Sequence, residues 1–272
     1  LRFSAMGDVV LLLPSLWQVL VENPNLEIFM VSKAEFSPFF QGHPRLHFKG
    51  VSLADTYKGF RGSLRLARYV ISLSPTVLID QHQSIRSLIC RLYAFFYGIQ
   101  TVVIRKEKWK KIRATRRFWK QKVHLTHMTV RYADTWRRAG WLSDASLDTN
   151  QMYIMPSKEA EESILKKKKG EKWIGIAPFS QHKGKNWPID YFVELIQTLL
   201  ASTPEVSIFM LGGRKEEERW QVWIPNSVRI HSLAQDSFDT QFAYLKQCDV
   251  LVCLDSSNFH LANMLQIPTV SI

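Results

Sequence analysis

The sequence places one carboxylate where it could take a proton from a substrate hydroxyl. Asp8 follows the short apolar start of the chain and a turn of small residues that ends in Gly7. Glycine tolerates a tight or left-handed backbone, and aspartate is a common helix N-cap. Ligands of open α/β sheets bind beyond the carboxyl ends of the strands, so Asp8 would lie at such a crevice. Two interpretations are open here, a general base and a simple helix cap.

A loop in the second half of the chain has residues suited to an anion. Ser180 and Gln181 follow a predicted strand, Lys185 comes shortly after them, and Pro188 suits the first turn of the next helix. Backbone amides at a helix start, together with a lysine ammonium, can hold a diphosphate. The alternative is an ordinary exposed loop between a strand and a helix.

Two further segments that follow predicted strands carry hydrogen-bonding side chains. The pair Gly212-Gly213 allows close approach of a ligand, and Glu216 (or Glu217) could accept from a ribose or a base. The last segment could bind sugar hydroxyls and a phosphate through Asp255, Ser256, Ser257 and His260. Helix capping and a packed histidine are the alternatives.

Positive charge is concentrated in the first half of the chain. Residues 1–150 hold 23 Lys and Arg against 10 Asp and Glu, whereas the remaining residues hold 13 against 14. Much of the excess lies in the basic segment 105–122, where aromatic residues alternate with Lys106, Lys110, Arg113, Arg117 and other cations. The candidate partners are an anionic membrane surface, a phosphorylated glycolipid and nucleic acid. A solvated loop is the alternative.

Short β-branched runs alternate with helical periods, which is typical of an α/β fold with parallel sheets. The pattern predicts strands at 26–31, 77–80, 101–104, 173–177, 206–211, 228–230, 249–253 and 269–272. It predicts helices at 9–23, 64–72, 85–97, 127–139, 158–169, 189–202, 216–223 and 238–247. An aperiodic stretch, 148–157, separates two series of elements. We therefore expect two domains, 1–155 and 156–272, with a ligand cleft between them.

Other features limit the class of protein. No apolar run approaches the roughly 20 residues that span a bilayer, and no signal peptide is visible. We expect a few residues to be missing at the start and more at the end, where a strand is cut off. Cys90, Cys248 and Cys253 lie in apolar contexts, which favours buried thiols of a reducing compartment. The cytoplasm is the expected location.

Taken together, four motifs resemble glycosyltransferase family 9, the heptosyltransferases of lipopolysaccharide core assembly. They are the Ser-x-x-Gly-Asp-Val run at 4–9, the Lys-x-Trp-Pro run at 185–188, the Gly-Gly…Glu segment and the Asp-Ser-x-x-x-His run at 255–260. The resemblance spans nearly the whole chain, and the motifs occur in the family's order. It implies a GT-B fold: two Rossmann-like, doubly wound domains facing a central cleft, with the acceptor on the first and the nucleotide-sugar on the second.

The resemblance also implies roles for particular residues. Asp8 matches the catalytic base, and Lys185 matches the lysine that binds the donor diphosphate. The other donor-site matches are Ser180, Gln181, Glu216 (or Glu217), Asp255, Ser256, Ser257 and His260. Ser257 departs from the family's usual glycine, and its Cβ narrows the approach to the donor, so the donor's identity stays open. The stretch 80–87, which includes Arg86, resembles the family's Asp-x-x-x-x-x-Arg-Ser stretch in the acceptor domain.

The implied reaction is an inverting transfer, for which one base suffices because no covalent intermediate forms. The chain contains no Asp-x-Asp motif, so a metal-independent mechanism without a cofactor is expected. The expected donor is ADP-heptose, and the expected acceptor is an anionic lipopolysaccharide core glycolipid. We expect a monomer that associates peripherally with the cytoplasmic face of the inner membrane, through the basic segment.

Two alternatives are kept. The same fold could use another nucleotide-sugar, or the protein could bind an anionic ligand such as nucleic acid without catalysis. No recognition helix, RNP sequence or zinc-finger spacing supports the second alternative, so no nucleic-acid partner is expected.

Overall fold

The computed structural model of the protein describes residues 1–116, 122–147, 154–180 and 183–272. The chain divides into two compact units, 1–153 and 154–272. The predicted linker 148–157 falls on this division, and its first six residues lie outside the described part.

The first unit alternates helices with parallel strands. Its elements are α1 (Met6–Glu22), β1 (Ile28–Lys33), a 3₁₀ segment (Ala34–Phe40), β2 (Leu46–Val51), α2 (Gly59–Ser72), β3 (Val77–Asp80), α3 (Ile85–Phe96), β4 (Gln100–Val103), α4 (Lys108–Thr115) and α5 (Met128–Arg138). Strand β2, the 3₁₀ segment and α4 were not among the predicted elements. The other predicted elements of this half are confirmed, with boundaries shifted by a few residues.

The apolar start of the chain joins two strand pairs into one layer. β1 pairs with β2 and β3 pairs with β4, each pair parallel. The extended segment 1–3 lies between the pairs: Arg2 N–H donates to Val31 O on β1, at 3.3 Å. On the other side Leu1 N donates to Ile79 O at 2.7 Å, and Gln81 N–H returns to Leu1 O at 3.0 Å. The start of the chain therefore takes the central place, where the direction of the strand order reverses.

Apolar residues hold α2 and α3 on one face of this layer. Leu66 and Val70 of α2 and Cys90 and Ala94 of α3 are buried together with residues of the central segment and of β1 to β3. Helix α1 packs against α5 instead. Burial of apolar side chains on both faces is what stabilises a parallel layer of this kind.

The second unit contains a five-stranded parallel sheet. Its elements are α6 (Lys158–Ser163), β5 (Lys172–Ala177), a 3₁₀ turn (Lys183–Lys185), α7 (Ile189–Ser202), β6 (Val206–Met210), α8 (Arg214–Trp220), β7 (Ile230–Ser232), α9 (Phe238–Gln247), β8 (Val250–Cys253), α10 (Ser257–Met264) and β9 (Thr269–Ser271). The strand order is β7-β6-β5-β8-β9. Ile174 of β5 pairs in register with Ile208 on one side and with Val250 on the other. This order is Rossmann-like, and its direction reverses at β5.

The predicted helix at 158–169 is wrong in its second half. Helix α6 ends at Ser163, and Ile164 has an extended backbone with ψ of 159°. Lys167, predicted as part of a solvated helix end, instead donates to Asp249 Oδ2 at 2.6 Å. It also lies over the Trp173 ring, 5.8 Å from its centre. These contacts hold Lys167 against the sheet, beyond the end of α6.

The three cysteines lie in the interior of the protein as free thiols. Cys90, Cys248 and Cys253 are free and buried, as predicted, and burial raises the pKa of each thiol to about 12. None of the helices in the described ranges has both the length and the apolar composition that crossing a membrane requires.

Candidate active site

Asp8 lies just beyond the carboxyl end of the central segment of the first unit. Helix α1 begins at Met6 with Ala5 as its N-cap, so Asp8 is the third residue of the helix and Gly7 is helical. The predicted N-cap role of Asp8 and the predicted turn at Gly7 are therefore wrong, because the helix starts earlier than the glycine suggested. The carboxylate still reaches back, and its Oδ2 accepts from Ala5 N–H at 3.4 Å.

Two side chains from other elements hold the Asp8 carboxylate. Arg2 forms an ion pair with Oδ2, and the Tyr132 hydroxyl, from α5, donates to Oδ1 at 3.1 Å. The Arg2 side chain is 5% exposed, whereas the Asp8 side chain is 33% exposed. Arg2 also donates to Gln81 O at 2.8 Å and lies over the Tyr132 ring. Arg2 and Tyr132 thus orient the carboxylate from the interior of the unit. One third of the Asp8 side-chain surface stays exposed and open to a ligand.

A neutral histidine borders the same place. The Phe3 N–H donates to His82 Nδ1 at 3.1 Å, so the ring proton is on Nε2, which faces Ser4 Oγ at 3.4 Å. Burial, followed by the positive charges of Arg2 and Lys106, lowers the pKa of His82 to about 4. The ring is therefore uncharged at neutral pH and offers a hydrogen bond rather than a charge.

The loop after β3 is organised by a fully buried carboxylate. Asp80 Oδ1 accepts from the backbone N–H groups of His82 and Gln83 at 2.9 and 2.8 Å. Its Oδ2 lies 3.1 Å from Arg91 Nε. These contacts fix the turn at Gln83, whose φ of 54° is rare for a residue other than glycine. This turn places His82 beside Phe3 and Ser4, just before the start of α1.

Predicted acceptor residues are divided between this site and the neighbouring surface. Lys106 donates to Gln83 O at 3.3 Å, and burial, followed by the Arg2 charge, lowers its pKa. Arg86 donates to Tyr57 O at 3.5 Å, and its buried Nε has no partner among the described residues. Lys110 and Arg113 lie on α4, which buries none of its residues. Arg117 lies outside the described residues.

Glu107 anchors the beginning of the basic segment to the first unit. Its carboxylate pairs with Lys110 and with Arg131 of α5, the latter at 2.9 Å, and accepts from Thr126 N–H at 2.9 Å. The Lys110 hydrogen bond, followed by that of Thr126, lowers the pKa of Glu107 to about 2. The described start of the segment is therefore a helix with a fixed origin rather than a solvated loop.

In the second unit, a lysine and a carboxylate meet where the strand order reverses. Lys185 follows β5 and Asp255 follows β8, and the ammonium donates to Asp255 Oδ2 at 2.5 Å. The Lys185 hydrogen bond holds the pKa of Asp255 below its usual range, and the charge of His260 contributes further. Both side chains are about half exposed, at 45% and 59%. Ligands of such sheets bind at this reversal point.

The start of α10 borders the Lys185–Asp255 pair. Ser256 is the N-cap of α10 and Ser257 is its first residue, with His260 one turn further along. The buried Ser256 Oγ has no hydrogen-bond partner among the described residues, and it makes no capping bond. Because a buried hydroxyl without a partner is costly, this oxygen suits a ligand that would supply one. The free N–H groups of the helix start favour an anion.

The other predicted donor residues serve local structure in the absence of a ligand. Ser180 N–H donates to Asn186 Oδ1 at 2.8 Å, which closes the loop after β5, and Gln181 lies outside the described residues. Glu216 Oε2 accepts from Gly213 N–H at 2.8 Å and so caps α8. Glu217 instead accepts from Ser232 and Gln235, each at 2.5 Å. Glu216 is thus nearer the carboxyl end of β6.

Sequence reasoning missed Arg2 and Tyr132. Arg2 is the one charged residue in the apolar start of the chain, and a charge inside a predicted central strand was a usable signal. Tyr132 lies 124 residues from Asp8, and nothing in its local sequence points to the site.

Comparisons with known proteins bear on the family and the fold of the chain. The family model described as glycosyltransferase family 9 (heptosyltransferase) matches residues 103–272, more than half of the chain. A glycosyl transferase family 9 structure from Veillonella parvula is similar with a TM-score of 0.77 at 17% identity, covering 99% of this chain and 78% of that one. A search of curated protein sequences gives no match.

Two structures from E. coli are also similar over the whole of this chain. Heptosyltransferase WaaC with ADP-2-deoxy-2-fluoro heptose gives a TM-score of 0.68 at 16% identity and is covered to 88%. ADP-heptose LPS heptosyltransferase II gives 0.70 at 17% identity and is covered to 84%. At such identities the likeness shows the fold, which is GT-B with parallel sheets, as the motifs predicted. With the family model it shows that the chain belongs to glycosyltransferase family 9 and is a glycosyltransferase.

Proposed function

We propose that the protein is an inverting, metal-independent heptosyltransferase that transfers heptose from ADP-heptose to a lipopolysaccharide core acceptor. The observation that carries the proposal is the Asp8 carboxylate, held by Arg2 and Tyr132 and one third exposed at the reversal point of the first unit. The ADP-heptose analogue held by the WaaC structure supports the choice of donor.

The proposed reaction is a single displacement. Asp8 takes the proton of an acceptor hydroxyl while the hydroxyl oxygen forms a bond to the anomeric carbon of the donor. The bond from that carbon to the diphosphate oxygen breaks, and its electron pair leaves with ADP. Because attack and departure occur on opposite faces, the anomeric configuration inverts, and one carboxylate is enough.

The leaving diphosphate needs positive charge to stabilise it. Lys185 and the first N–H groups of α10 supply this charge in the proposal, with the Ser256 hydroxyl as a further donor. A bound diphosphate would draw Lys185 from Asp255, which leaves that carboxylate available to the hydroxyls of the sugar. This arrangement provides the charge stabilisation that a metal ion supplies in other transferases.

The acceptor side is proposed to be anionic and membrane-bound. Arg2 and Lys106 make the surroundings of Asp8 positive, which suits the phosphates and carboxylates of an inner-core glycolipid. Arg86 is proposed to add to the binding of this acceptor. The basic segment, including Lys110 and Arg113 on α4, would add attraction to the anionic cytoplasmic face of the inner membrane. We propose peripheral association there, with the protein acting as a monomer.

A substitution of Asp8 by asparagine tests the proposed base, because asparagine has nearly the same size and shape but cannot accept the proton. We expect Asp8→Asn to lower the transfer rate by about 10²–10⁴-fold, the usual contribution of a general base, while ADP binding measured by calorimetry is unchanged. Asp144→Asn is the matched control, because Asp144 is a fully exposed carboxylate of the same unit, and it should retain wild-type activity. Near-normal transfer by Asp8→Asn would remove Asp8 as the base.

The donor base is tested separately. Titration of the wild-type protein with ADP, UDP and GDP compares the three nucleotides directly, and we expect ADP to bind most tightly. Preference for UDP or GDP would replace ADP-heptose by another nucleotide-sugar and leave the role of Asp8 intact.

A further inference from the structure

The outer face of α3 is entirely apolar. Five residues of this helix are exposed, and all are large hydrophobic ones: Ile85, Leu88, Leu92, Phe95 and Phe96. Ile85 and Phe96, at the two ends, are 81% and 80% exposed. The spacing of three and four residues places the five on a single stripe along the helix. We call this set the α3 stripe.

The α3 stripe is not required by the core of its own unit. The opposite face of α3 buries Ser87, Ile89, Cys90 and Ala94, which face α2 and the strands. A helix at the surface of a globular protein ordinarily exposes charged residues on its outer face. Contiguous exposed apolar surface of this kind marks an interaction site.

The neighbouring helix, α2, brings positive charge to the same surface as the α3 stripe. Helix α2 packs against α3, and its exposed face carries Arg61, Arg65 and Arg68, which recur at helical spacing. Between residues 58 and 97 the sequence contains six Lys and Arg but a single acidic residue, Asp80. Asp80 is fully buried, so none of the exposed charged side chains between residues 58 and 97 is acidic. An apolar stripe beside a purely basic one fits an anionic, partly apolar partner.

We infer that the α2–α3 face docks on an anionic lipid bilayer, with α3 parallel to the membrane plane. The α3 stripe would enter the boundary between headgroups and acyl chains, and the α2 arginines would contact lipid phosphates. At about 1.5 Å per residue, α3 is far too short to span the bilayer but long enough to lie along it. This inference rests on the proposed function, whose acceptor is embedded in a membrane, and it assigns the anchoring surface.

A second copy of the chain fits the same face less well. In a two-fold symmetric interface whose axis crosses both α2 and α3, the arginine rows of α2 of the two copies would face each other. Like charges opposed in this way disfavour association. A bilayer with anionic headgroups meets both the apolar and the charged requirement.

The test is flotation of the full protein with lipid vesicles. Vesicles of phosphatidylethanolamine and phosphatidylglycerol should carry the wild-type protein, and phosphatidylcholine vesicles should carry much less. The double variant Leu92→Ser/Phe96→Ser should lose about tenfold or more in partitioning, because peripheral binding scales with the apolar area inserted. Leu165→Ser/Val228→Ser is the matched control, because it removes two exposed apolar side chains from the second unit, and it should bind as wild type.

Charge is tested in the same assay. Replacing Arg61, Arg65 and Arg68 by glutamine should weaken binding to the anionic vesicles by about fivefold for each arginine removed, and salt should reduce the difference. Unchanged vesicle binding by Leu92→Ser/Phe96→Ser would overturn the inference. So would light scattering that shows a wild-type dimer which this variant converts to a monomer, since the stripe would then join two copies.

A transfer assay separates this inference from the proposed function. With a deacylated, water-soluble acceptor, Leu92→Ser/Phe96→Ser should turn over at the wild-type rate, and with the acceptor in vesicles it should be slower. A wild-type protein that floats with anionic vesicles but transfers no heptose would refute the proposed function and leave the membrane face standing. A wild-type protein that transfers heptose but binds no vesicles would support the proposed function and refute the membrane face.

Discussion

Removal of the Tyr132 hydroxyl tests whether activity requires the hydrogen bond that holds the Asp8 carboxylate in place. The phenol is fully buried and donates to Asp8 Oδ1 at 3.1 Å, while Arg2 binds the other oxygen. Burial raises the pKa of Tyr132, so the group remains a donor at all working pH values. Tyr132→Phe deletes this one bond and retains the ring, so no cavity forms and the arginine keeps its aromatic neighbour.

The expected size of the effect follows from the partly exposed state of Asp8. A hydrogen bond to a charged group contributes about 1.5–3 kcal/mol, and the lower value applies here because water can reach the freed oxygen. If the bond fixes the carboxylate for proton transfer, the loss of about 1.4 kcal/mol lowers kcat by roughly tenfold. We expect a decrease of about 1.5 kcal/mol in the free energy of unfolding and no change in ADP affinity.

The assay follows ADP release with saturating donor and acceptor, together with urea unfolding. Tyr244→Phe is the control, since Tyr244 is a buried tyrosine of the second unit whose hydroxyl accepts from Leu165 N–H at 3.2 Å. It should lose similar stability but keep the wild-type kcat. The reasoning is refuted if Tyr132→Phe keeps full activity, or if both variants lose activity equally.

Three further predictions concern the donor site, a pH effect and a backbone constraint. Lys185→Met should weaken ADP binding by about tenfold or more in calorimetry, because an ionic hydrogen bond is lost, and Lys169→Met should not; equal affinities would exclude Lys185 as the diphosphate ligand. Because the pKa of His82 falls from 6.5 to about 4 on folding, the unfolded chain takes up the proton first. Stability should therefore fall as pH decreases from 6.5 to 4, by about 1–2 kcal/mol after allowance for partial exposure. In urea titrations this slope should be smaller in His82→Asn, and an unchanged slope would contradict the assignment. Gly212 has φ of 153°, and a Cβ there would lie 2.9 Å from the buried ring of Trp220. Gly212→Ala should cost about 2–3 kcal/mol in thermal unfolding, whereas Gly213→Ala, with open space around it, should be nearly neutral; equal melting temperatures would contradict this.

Much of the second unit could be predicted because its strands are buried on both faces. Runs such as Val206–Met210 and Val250–Cys253 are almost uninterrupted β-branched and apolar residues, a pattern that few other structures produce. Strand β2 was missed because His47, Lys49 and Gly50 interrupt its apolar pattern near the edge of the layer. The second half of the helix predicted at 158–169 was wrong since Lys167 binds Asp249, 82 residues away, and local periodicity carries no information about that contact.

The residues of the candidate site also differ in whether the sequence alone could identify them. Asp8, Lys185 and the run 255–260 could be found because each lies at a junction between a strand and a helix, where turn residues and the following helix leave a local pattern. Their functional roles stay predictions: Asp8 as the base, and, as donor ligands, Ser180, Gln181, Lys185, Glu216, Asp255, Ser256, Ser257 and His260. The acceptor roles of Arg86, Lys106, Lys110 and Arg113 do as well.

The local patterns of the chain were enough to predict an α/β fold with two series of elements and the junctions that carry polar groups. They could do so because backbone preference and apolar periodicity act over a few residues at a time. The partners of those groups depend on how the elements pack. Arg2 and Tyr132 reach Asp8 only because the central segment, α1 and α5 are brought together in one unit. Lys185 meets Asp255, 70 residues away, because β5 and β8 are neighbours in the sheet. Such contacts follow from the burial of whole helices and strands against one another, which no short stretch of sequence specifies.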